Sequence, residues 1–261
     1  MENPRFRMKR RSLLLWAGLS PVLAPLIARE ARAFGQEGAF HPRLMLTGAQ
    51  KVDAARRSAP SRWSWEVIRR TSSPARLVVD QIMTDSSDVL HEPFLVWVGD
   101  GNIPALTPPE LRRLRQYFEL GGLLYVDDSN PKEGSFGRAA RREIQRVLPE
   151  ASIVQLDSRH VLFKSYYLLD GPAGRVTGPS HLDAIIRGRD AQVLFASHDL
   201  LGALARDDSG TWTFDIEGGA SEREMALRFA VNIAMYSLCS DYKDDQVHAQ
   251  ELMRRRGRRQ Q

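Results

Sequence analysis

Polar side chains that can do chemistry follow three of the predicted strands, at the point where each strand ends. They are Asp100 and Asn102 after one strand, Asp127, Asp128 and Ser129 after the next, and His198 and Asp199 after a third. In an open parallel sheet, ligands bind beyond the carboxyl ends of the strands, so these side chains are expected at one ligand-facing edge. Grouped carboxylates can hold a hard cation through oxygen or act as a general base. The alternative is that Asp, Asn and Ser only cap helices and form turns there.

The remaining candidate residues give weaker signals. His160 is predicted to orient a loop, and His91 and His181 are predicted to lie at the surface, because they lack a partner at metal-ligand spacing. Cys239 is the single cysteine, so an internal disulfide is excluded, and its place in an apolar helical pattern predicts a buried core thiol. The sequence lacks the G-x-S-x-G, GxxxxGK[ST], GxGxxG and HExxH motifs. We therefore predict no metal ion and no cofactor.

The order of the elements predicts how these residues are positioned. Strands are predicted at 43–47, 75–80, 94–98, 123–127, 152–156 and 191–197, with 182–188 as a possible partner of the last strand. Residues 94–98 lack polar alternation, which is typical of a strand covered on both faces. Strands that alternate with helices predict an α/β fold of three layers, in which helices cover both faces of a mostly parallel sheet.

Four helices are predicted between and after these strands. The clearest begins at Thr107, because Pro108 suits the first helical position and Glu110 completes a capping box. The other three are predicted at 61–72, 136–149 and 221–238, the last with a capping box formed by Ser221 and Glu224. Residues 206–219 are predicted to form an inserted loop or hairpin.

Charge is distributed unevenly along the chain. The sequence pI is 9.6, but residues 34–253 contain 25 Lys and Arg against 30 Asp and Glu. The body is therefore acidic between two basic ends, and a nucleic-acid partner is not predicted, since its basic footprint should lie on the folded domain. The segment 251–261 is predicted to be a basic C-terminal tail, through which alone membrane contact is expected.

The N-terminus has the pattern of an export signal. A basic start is followed by an apolar stretch from Leu13 to Ala28 and by the small-x-small sequence Ala31-Arg32-Ala33. Residues 1–33 are thus predicted to be a signal peptide cleaved after Ala33, from a start at either Met1 or Met8. Arg10-Arg11 resembles a twin-arginine signal, with the general secretory route as the alternative. The mature chain is predicted to be periplasmic, with 34–250 as a single domain.

Several stretches together resemble a known bacterial family. They are PFLVWVGDGN, LTPPELRRLRQYFELGGLLYVDDSN, FGRAARREIQRVLPEASIVQLDSRHVLFKSYY, ASHDLLGAL, VNIAMYSL and DYKDDQVH. In order and spacing they resemble the domain-of-unknown-function family numbered 4159, over about residues 42–250. The resemblance implies a class I glutamine amidotransferase-like fold of the flavodoxin type. In such amidotransferases the corner after the third strand carries a nucleophilic Cys, whereas this chain has Asp100 there.

Two functions remain open from the sequence. The first is a non-catalytic module that binds an unknown small molecule, an envelope component or a partner, since the nucleophile is absent. The alternative is a carboxylate- or metal-dependent hydrolase acting on a carbohydrate or cell-envelope substrate. In that case Asp100 or Asp128 would be the base or metal ligand, assisted by His198.

Overall fold

The computed structural model describes residues 38–48 and 50–258, with side chains up to residue 239. The strands are β1 (Arg43–Leu46), β2 (Gln81–Met83), β3 (Phe94–Gly99), β4 (Leu123–Asp128), β5 (Ile153–Leu156), β6 (Leu182–Arg187) and β7 (Asp190–Ala196). The helices are α1 (Ala59–Arg70), α2 (Pro108–Glu119), α3 (Ser135–Val147), α4 (Leu200–Leu204) and α5 (Gly219–Arg258). Three short 3-10 turns cover Ala54–Arg56, Ser87–His91 and Val161–Lys164.

The strands form one sheet in the order β2-β1-β3-β4-β7-β6-β5. Strands β2, β1, β3, β4 and β7 run parallel, while β6 and β5 add two antiparallel pairings at one side. In chain order, the parallel strands stand as 2-1-3-4-5. This is a doubly wound order, and its direction switches between β1 and β3.

Strand β3 separates two cores, as its continuous apolar sequence predicts. Val96 and Val98 pack in one core with Trp63 of α1 and with residues of α5. Leu95 and Trp97 pack in the other core with residues of α2 and α3. Every β3 side chain from Phe94 to Val98 is buried, so helices cover both faces of this strand. Together with the parallel strand order, this confirms the prediction of a mostly parallel sheet with helices on both faces.

The capping box of α2 forms as predicted. The Thr107 backbone N–H donates to Glu110 Oε2 at 2.7 Å, and Thr107 Oγ1 accepts from the Glu110 N–H at 3.5 Å. The other Glu110 oxygen accepts from the backbone N–H of Gly48 at 2.9 Å. One carboxylate therefore fixes the start of α2 and ties it to the corner that follows β1.

The predicted strand at 75–80 is wrong. Only Ala75 forms an isolated bridge, with Phe40, and the regular strand on this side is β2. The segment runs along the edge of the sheet, where Leu77 and Val78 are 48% and 63% exposed. Leu77 and Val78 thus lie at an open edge, while Ala75 and Val79 pack against the core without forming a regular strand.

Two predictions about the last helix are also wrong. Helix α5 begins at Gly219, two residues before Ser221, so the predicted capping box does not form. The Glu224 carboxylate instead pairs with the Arg70 guanidinium through two hydrogen bonds of 2.7 Å. Cys239 is exposed because the buried face of α5 ends at Tyr236 and Ser237.

The remaining segments agree with the sequence in outline. The pairing of 182–188 with the last strand is confirmed by the antiparallel β6–β7 pair. In the segment 206–219, Arg206 and Trp212 form one antiparallel bridge around a tight turn. The described residues from 39 to 258 belong to one compact unit. The predicted signal at 1–33 lies outside the described residues, and no described helix is long and apolar enough to span a bilayer.

Candidate functional site

The corner after β3 leaves two of the predicted site residues accessible. A Cβ on Gly99 would lie 2.5 Å from a ring carbon of Phe136, so the close packing of α3 against this corner requires glycine. The chain then turns outward, and Asp100 and Asn102 are exposed. Neither side chain hydrogen-bonds to another described residue. Both are therefore available to a ligand.

The corner after β1 lies beside the corner after β3. Gln50 Nε2 donates to the Val98 carbonyl at 2.8 Å, and Gln50 Oε1 accepts from the Trp97 indole at 2.9 Å. Gly48 has φ of +51°, and a Cβ there would meet nothing within 4 Å. Hydrogen bonds therefore join the two corners at the point where the strand order switches, and the backbone at Gly48 is unobstructed.

Asp127 is buried and binds the start of the helix that follows the neighbouring strand β7. Its two carboxylate oxygens accept from the backbone N–H groups of Leu200 and Leu201 at 3.0 and 2.7 Å, at the start of α4. Burial, followed by the negative charge of Asp199, raises the pKa of Asp127 to about 8, against the opposing effect of those two N–H groups. This carboxylate therefore holds the start of α4 in place.

Asp128 and Ser129 serve the neighbouring corner in a similar way. Asp128 accepts from the backbone N–H groups of Gly137 and Asn130 at 2.9 and 3.0 Å, and burial raises the pKa of its carboxyl. The Ser129 N–H donates to the Gly99 carbonyl at 2.8 Å. These bonds join the corners after β3 and β4.

Asp199 is the centre of a buried ion-pair network. It is the one described non-glycine residue with positive φ, at 51°, and its carboxylate accepts from the Gly202 N–H at 3.0 Å. Arg56 donates to both oxygens, at 3.1 and 2.8 Å, and Arg175 Nε donates to one of them. Since Asp199 is wholly buried, two guanidinium groups offset the cost of desolvating it.

The two arginines were not predicted from the sequence. Both lie over the ring of Phe214, at 4.3 Å for Arg56 and 5.5 Å for Arg175, and both donate to the Ser129 carbonyl at 3.4 Å. Arg175 keeps 27% of its side chain exposed. No local signal could have singled them out, because Arg56 stands 143 residues from Asp199.

His198 contacts a different part of the chain from the carboxylates. Its Nε2 is 2.9 Å from the Pro179 carbonyl, and burial lowers the pKa of the imidazole. A Cβ on Gly178 would lie 2.7 Å from Nε2, and one on Gly174 would lie 2.1 Å from the His198 carbonyl. The ring therefore supports the loop at 174–179, and no contact between described residues joins it to Asp100 or Asp128.

The other predicted histidines behave as expected. His160 Nδ1 accepts from the Leu162 N–H at 3.3 Å, which confirms a loop-orienting role. His91 is exposed, and His181 is about one-third exposed. Within the part of the chain that the structure describes, no three His, Cys, Asp or Glu side chains are grouped so that they could hold a metal ion.

An open cavity of about 520 Å³ lies elsewhere, beside the start of α5. Its lining includes Trp212, Ile216, Arg223 and Leu227. None of the seven predicted site residues lines it. The cavity is therefore separate from the seven residues at the sheet edge.

The strand order and the exposed corner after β3 define an α/β protein with a doubly wound sheet and a candidate ligand site at its switch point. The model of the family described as a domain of unknown function, DUF4159, matches residues 43–238. The chain belongs to that family, as the sequence resemblance predicted. A comparison with curated proteins found no match.

Proposed function

We propose that this chain is an exported, non-catalytic module that binds a polar small molecule or an envelope component at the adjoining corners after β1 and β3. The observation that carries the proposal is the position of Asp100 and Asn102. They lie at the switch point of the sheet, exposed and without side-chain hydrogen bonds to described residues. Ligands of open α/β sheets bind at such points.

The hydrogen bonding of the other acidic residues supports a non-catalytic role. Asp127 and Asp128 cap helices or turns, and Asp199 is held by two arginines. A general base needs a lone pair that can reach a substrate proton. These three carboxylates instead direct their oxygens to groups of the protein, so they stabilise this edge of the sheet.

The proposed fold class is amidotransferase-like. The parallel order 2-1-3-4-5 is the one found in flavodoxin-type sheets, which supports this assignment. Asp100 replaces the nucleophile expected at the corner, and its φ is not positive. The proposal therefore excludes acyl transfer through a nucleophile at this corner and keeps only ligand binding there.

The test is a thermal-shift and calorimetric titration of the full chain with sugars, peptidoglycan fragments and divalent cations. Binding to the native state raises Tm by mass action. We expect Asp100→Asn, which removes a charge, to weaken binding of a hit about tenfold or more. Asn102→Ala, which removes a neutral hydrogen bond worth about 0.5–1.5 kcal/mol, should weaken it about two- to tenfold. Both variants should keep the ligand-free Tm.

The matched control is Asp208→Asn, an exposed acidic residue in the turn of the 206–219 segment. It should bind like the parent chain. A ligand whose affinity is unaffected by both corner variants would place binding elsewhere and contradict the proposal.

One observation favours the hydrolase alternative, with a different residue in the role of base. Asp127 has a pKa of about 8, and adjacent Asp199 has a strained backbone, two features that are common at active sites. Turnover of a defined glycoside or envelope substrate that is lost in Asp127→Asn, with the fold retained, would establish this alternative. Loss of turnover in Asp100→Asn would establish the version built on the exposed corner.

A further inference from the structure

The open cavity beside the start of α5 combines an apolar wall with charged side chains. Trp212, Ile216 and Leu227 supply the apolar wall, and each belongs to or packs against the core formed by α1, α5 and one face of the sheet. Arg223 lines the same cavity. A cavity of about 520 Å³ with apolar walls and a few charged groups has the size and lining of sites that bind small organic molecules.

Hydrogen bonds to the body fix the segment 212–216, which forms part of the apolar wall. The Thr213 N–H donates to the Ala205 carbonyl at 3.1 Å. The Glu217 N–H donates to the Arg175 carbonyl at 3.1 Å. The wall is therefore in place before any ligand binds, which lowers the entropic cost of binding.

Arg223 is a buried cation that lacks a carboxylate partner. Only 8% of its surface is exposed, and its guanidinium donates to the carbonyls of Ala203 and Phe214 at 2.7 and 2.6 Å. It forms no ion pair with a described residue. Burial lowers the pKa of this guanidinium, the negative charge of Asp215 raises it, and the positive charge of Arg206 lowers it. A buried charge is costly unless it is compensated, so this position favours an anion in the adjoining cavity.

A second unpaired cation lies over the same tryptophan ring. The guanidinium carbon of Arg206 is 4.0 Å from the centroid of the Trp212 ring, and that of Arg223 is 4.3 Å from it. Arg206 donates to the Gly210 carbonyl at 2.8 Å, but its Nε is buried without a hydrogen-bond partner among the described residues. Two like charges repel each other at this separation, and an anion between them and solvent would offset the repulsion.

The two carboxylates that line the cavity do not balance these cations. Glu224 accepts two hydrogen bonds of 2.7 Å from Arg70 and one of 2.9 Å from Arg228, so its charge is compensated within the protein. Asp215 is exposed and forms no hydrogen bond or ion pair with a described residue. Two unpaired guanidinium groups thus stand against one solvent-screened carboxylate, which favours a ligand with a single negative charge.

We propose that this cavity binds a small organic monoanion, namely a carboxylic acid with an aromatic or aliphatic body. The anionic group lies beside Arg223, and the apolar body packs against Trp212, Ile216 and Leu227. A neutral ligand fits less well, because it leaves both guanidinium groups without a counter-charge. The site is distinct from the corner after β3, so either proposal can fail without the other.

The first test is a fluorescence titration of the full chain with two probes that share the same rings. Anilinonaphthalene sulfonate is an aromatic monoanion, and N-phenylnaphthylamine is neutral. We expect the sulfonate to bind about tenfold more tightly or better, and octanoate to displace it. Equal affinity for the two probes would overturn the proposal. Asp100→Asn should leave the sulfonate affinity unchanged, which separates this site from the one at the corner after β3.

The second test fills the cavity. Ala220 lines it and is exposed, so Ala220→Phe should keep the fold while its ring takes up part of the cavity. We expect the sulfonate affinity to fall about tenfold or more, with an unchanged circular dichroism spectrum. Ala105→Phe is the matched control, since Ala105 is also exposed and does not line the cavity. Unchanged affinity in Ala220→Phe would show that the probe binds elsewhere and would reject the site.

The third test separates charge from shape. Arg206→Gln removes one of the two unpaired charges, so it should weaken sulfonate binding severalfold and leave binding of the neutral probe unchanged. Arg112→Gln changes the net charge equally at an exposed residue that does not line the cavity, and it should affect neither probe. Equal losses in the two arginine variants would show that net charge alone attracts the sulfonate, which would also overturn the proposal.

Discussion

At the scale of single residues, burial separates acidic side chains that the sequence presents as equivalent. Asp100 is exposed, whereas Asp127 and Asp199 are wholly buried within the same edge of the sheet. A buried carboxylate must be hydrogen-bonded or paired, and both of these are. The same residue type therefore supports the fold at one position and is free for a ligand at another.

The raised pKa of Asp127 predicts a pH dependence of stability. Because its folded pKa is about 8 and its ordinary value is 3.8, the folded state favours the protonated carboxyl. This contribution is fully present below pH 3.8 and is lost as the pH rises toward 8, by at most about 1.4 kcal/mol per pH unit. Chemical denaturation between pH 5 and 9 should show a steeper decline for the parent chain than for Asp127→Asn. Parallel curves would contradict the assignment.

Gly202 is predicted to be required by the Asp199 network. A Cβ at Gly202 would lie 2.2 Å from Asp199 Oδ2, within a carboxylate that two arginines hold in place. Gly202→Ala should lower the free energy of unfolding by about 1–3 kcal/mol despite the better helix propensity of alanine. Gly101→Ala is the control, since a Cβ there meets nothing within 4 Å. Equal stability of the two variants in urea titrations would refute the clash.

At the scale of elements, caps and buried strands were predictable because their causes are local. The capping box of α2 and the buried run of β3 both depend on residues within a few positions of each other. The edge strand and the start of α5 depend instead on distant partners. Glu224 binds Arg70 across the fold, and β2 is selected by its pairing with β1, so sequence patterns placed both elements incorrectly.

The α2 cap gives the prediction at this scale. Thr107→Ala should lower the free energy of unfolding by about 1 kcal/mol, because the Glu110 N–H loses its acceptor. Ser180→Ala is a suitable control, since this exposed residue makes no side-chain hydrogen bond to another described residue. If the two variants have the same Tm in calorimetry, the cap contributes nothing to stability.

At the scale of the whole molecule, the sequence predicted that the candidate residues share one edge of the sheet, but not which of them are buried there and which are exposed. All seven candidates lie at or just after the carboxyl ends of β3, β4 and β7, and the layered fold brings the corners after β3 and β4 together. The identification of Arg56 and Arg175 required the folded chain, since they reach Asp199 across 143 and 24 residues. His198, which the sequence grouped with the carboxylates, turns to the loop at 174–179 because two glycines admit it there.

Export is the last prediction, and it concerns the whole chain. We propose that residues 1–33 direct the protein to the periplasm, because a basic start, an apolar stretch and Ala31-Arg32-Ala33 succeed one another. Sequencing of protein recovered from the periplasm should begin at Phe34, and changing Arg10 and Arg11 together to Lys should abolish export by the twin-arginine route. Unchanged export of that variant would indicate the general secretory route. Recovery of a chain that still begins at Met1 or Met8 would contradict cleavage. The proposed binding site would then have to be tested against ligands of the compartment in which that chain is found.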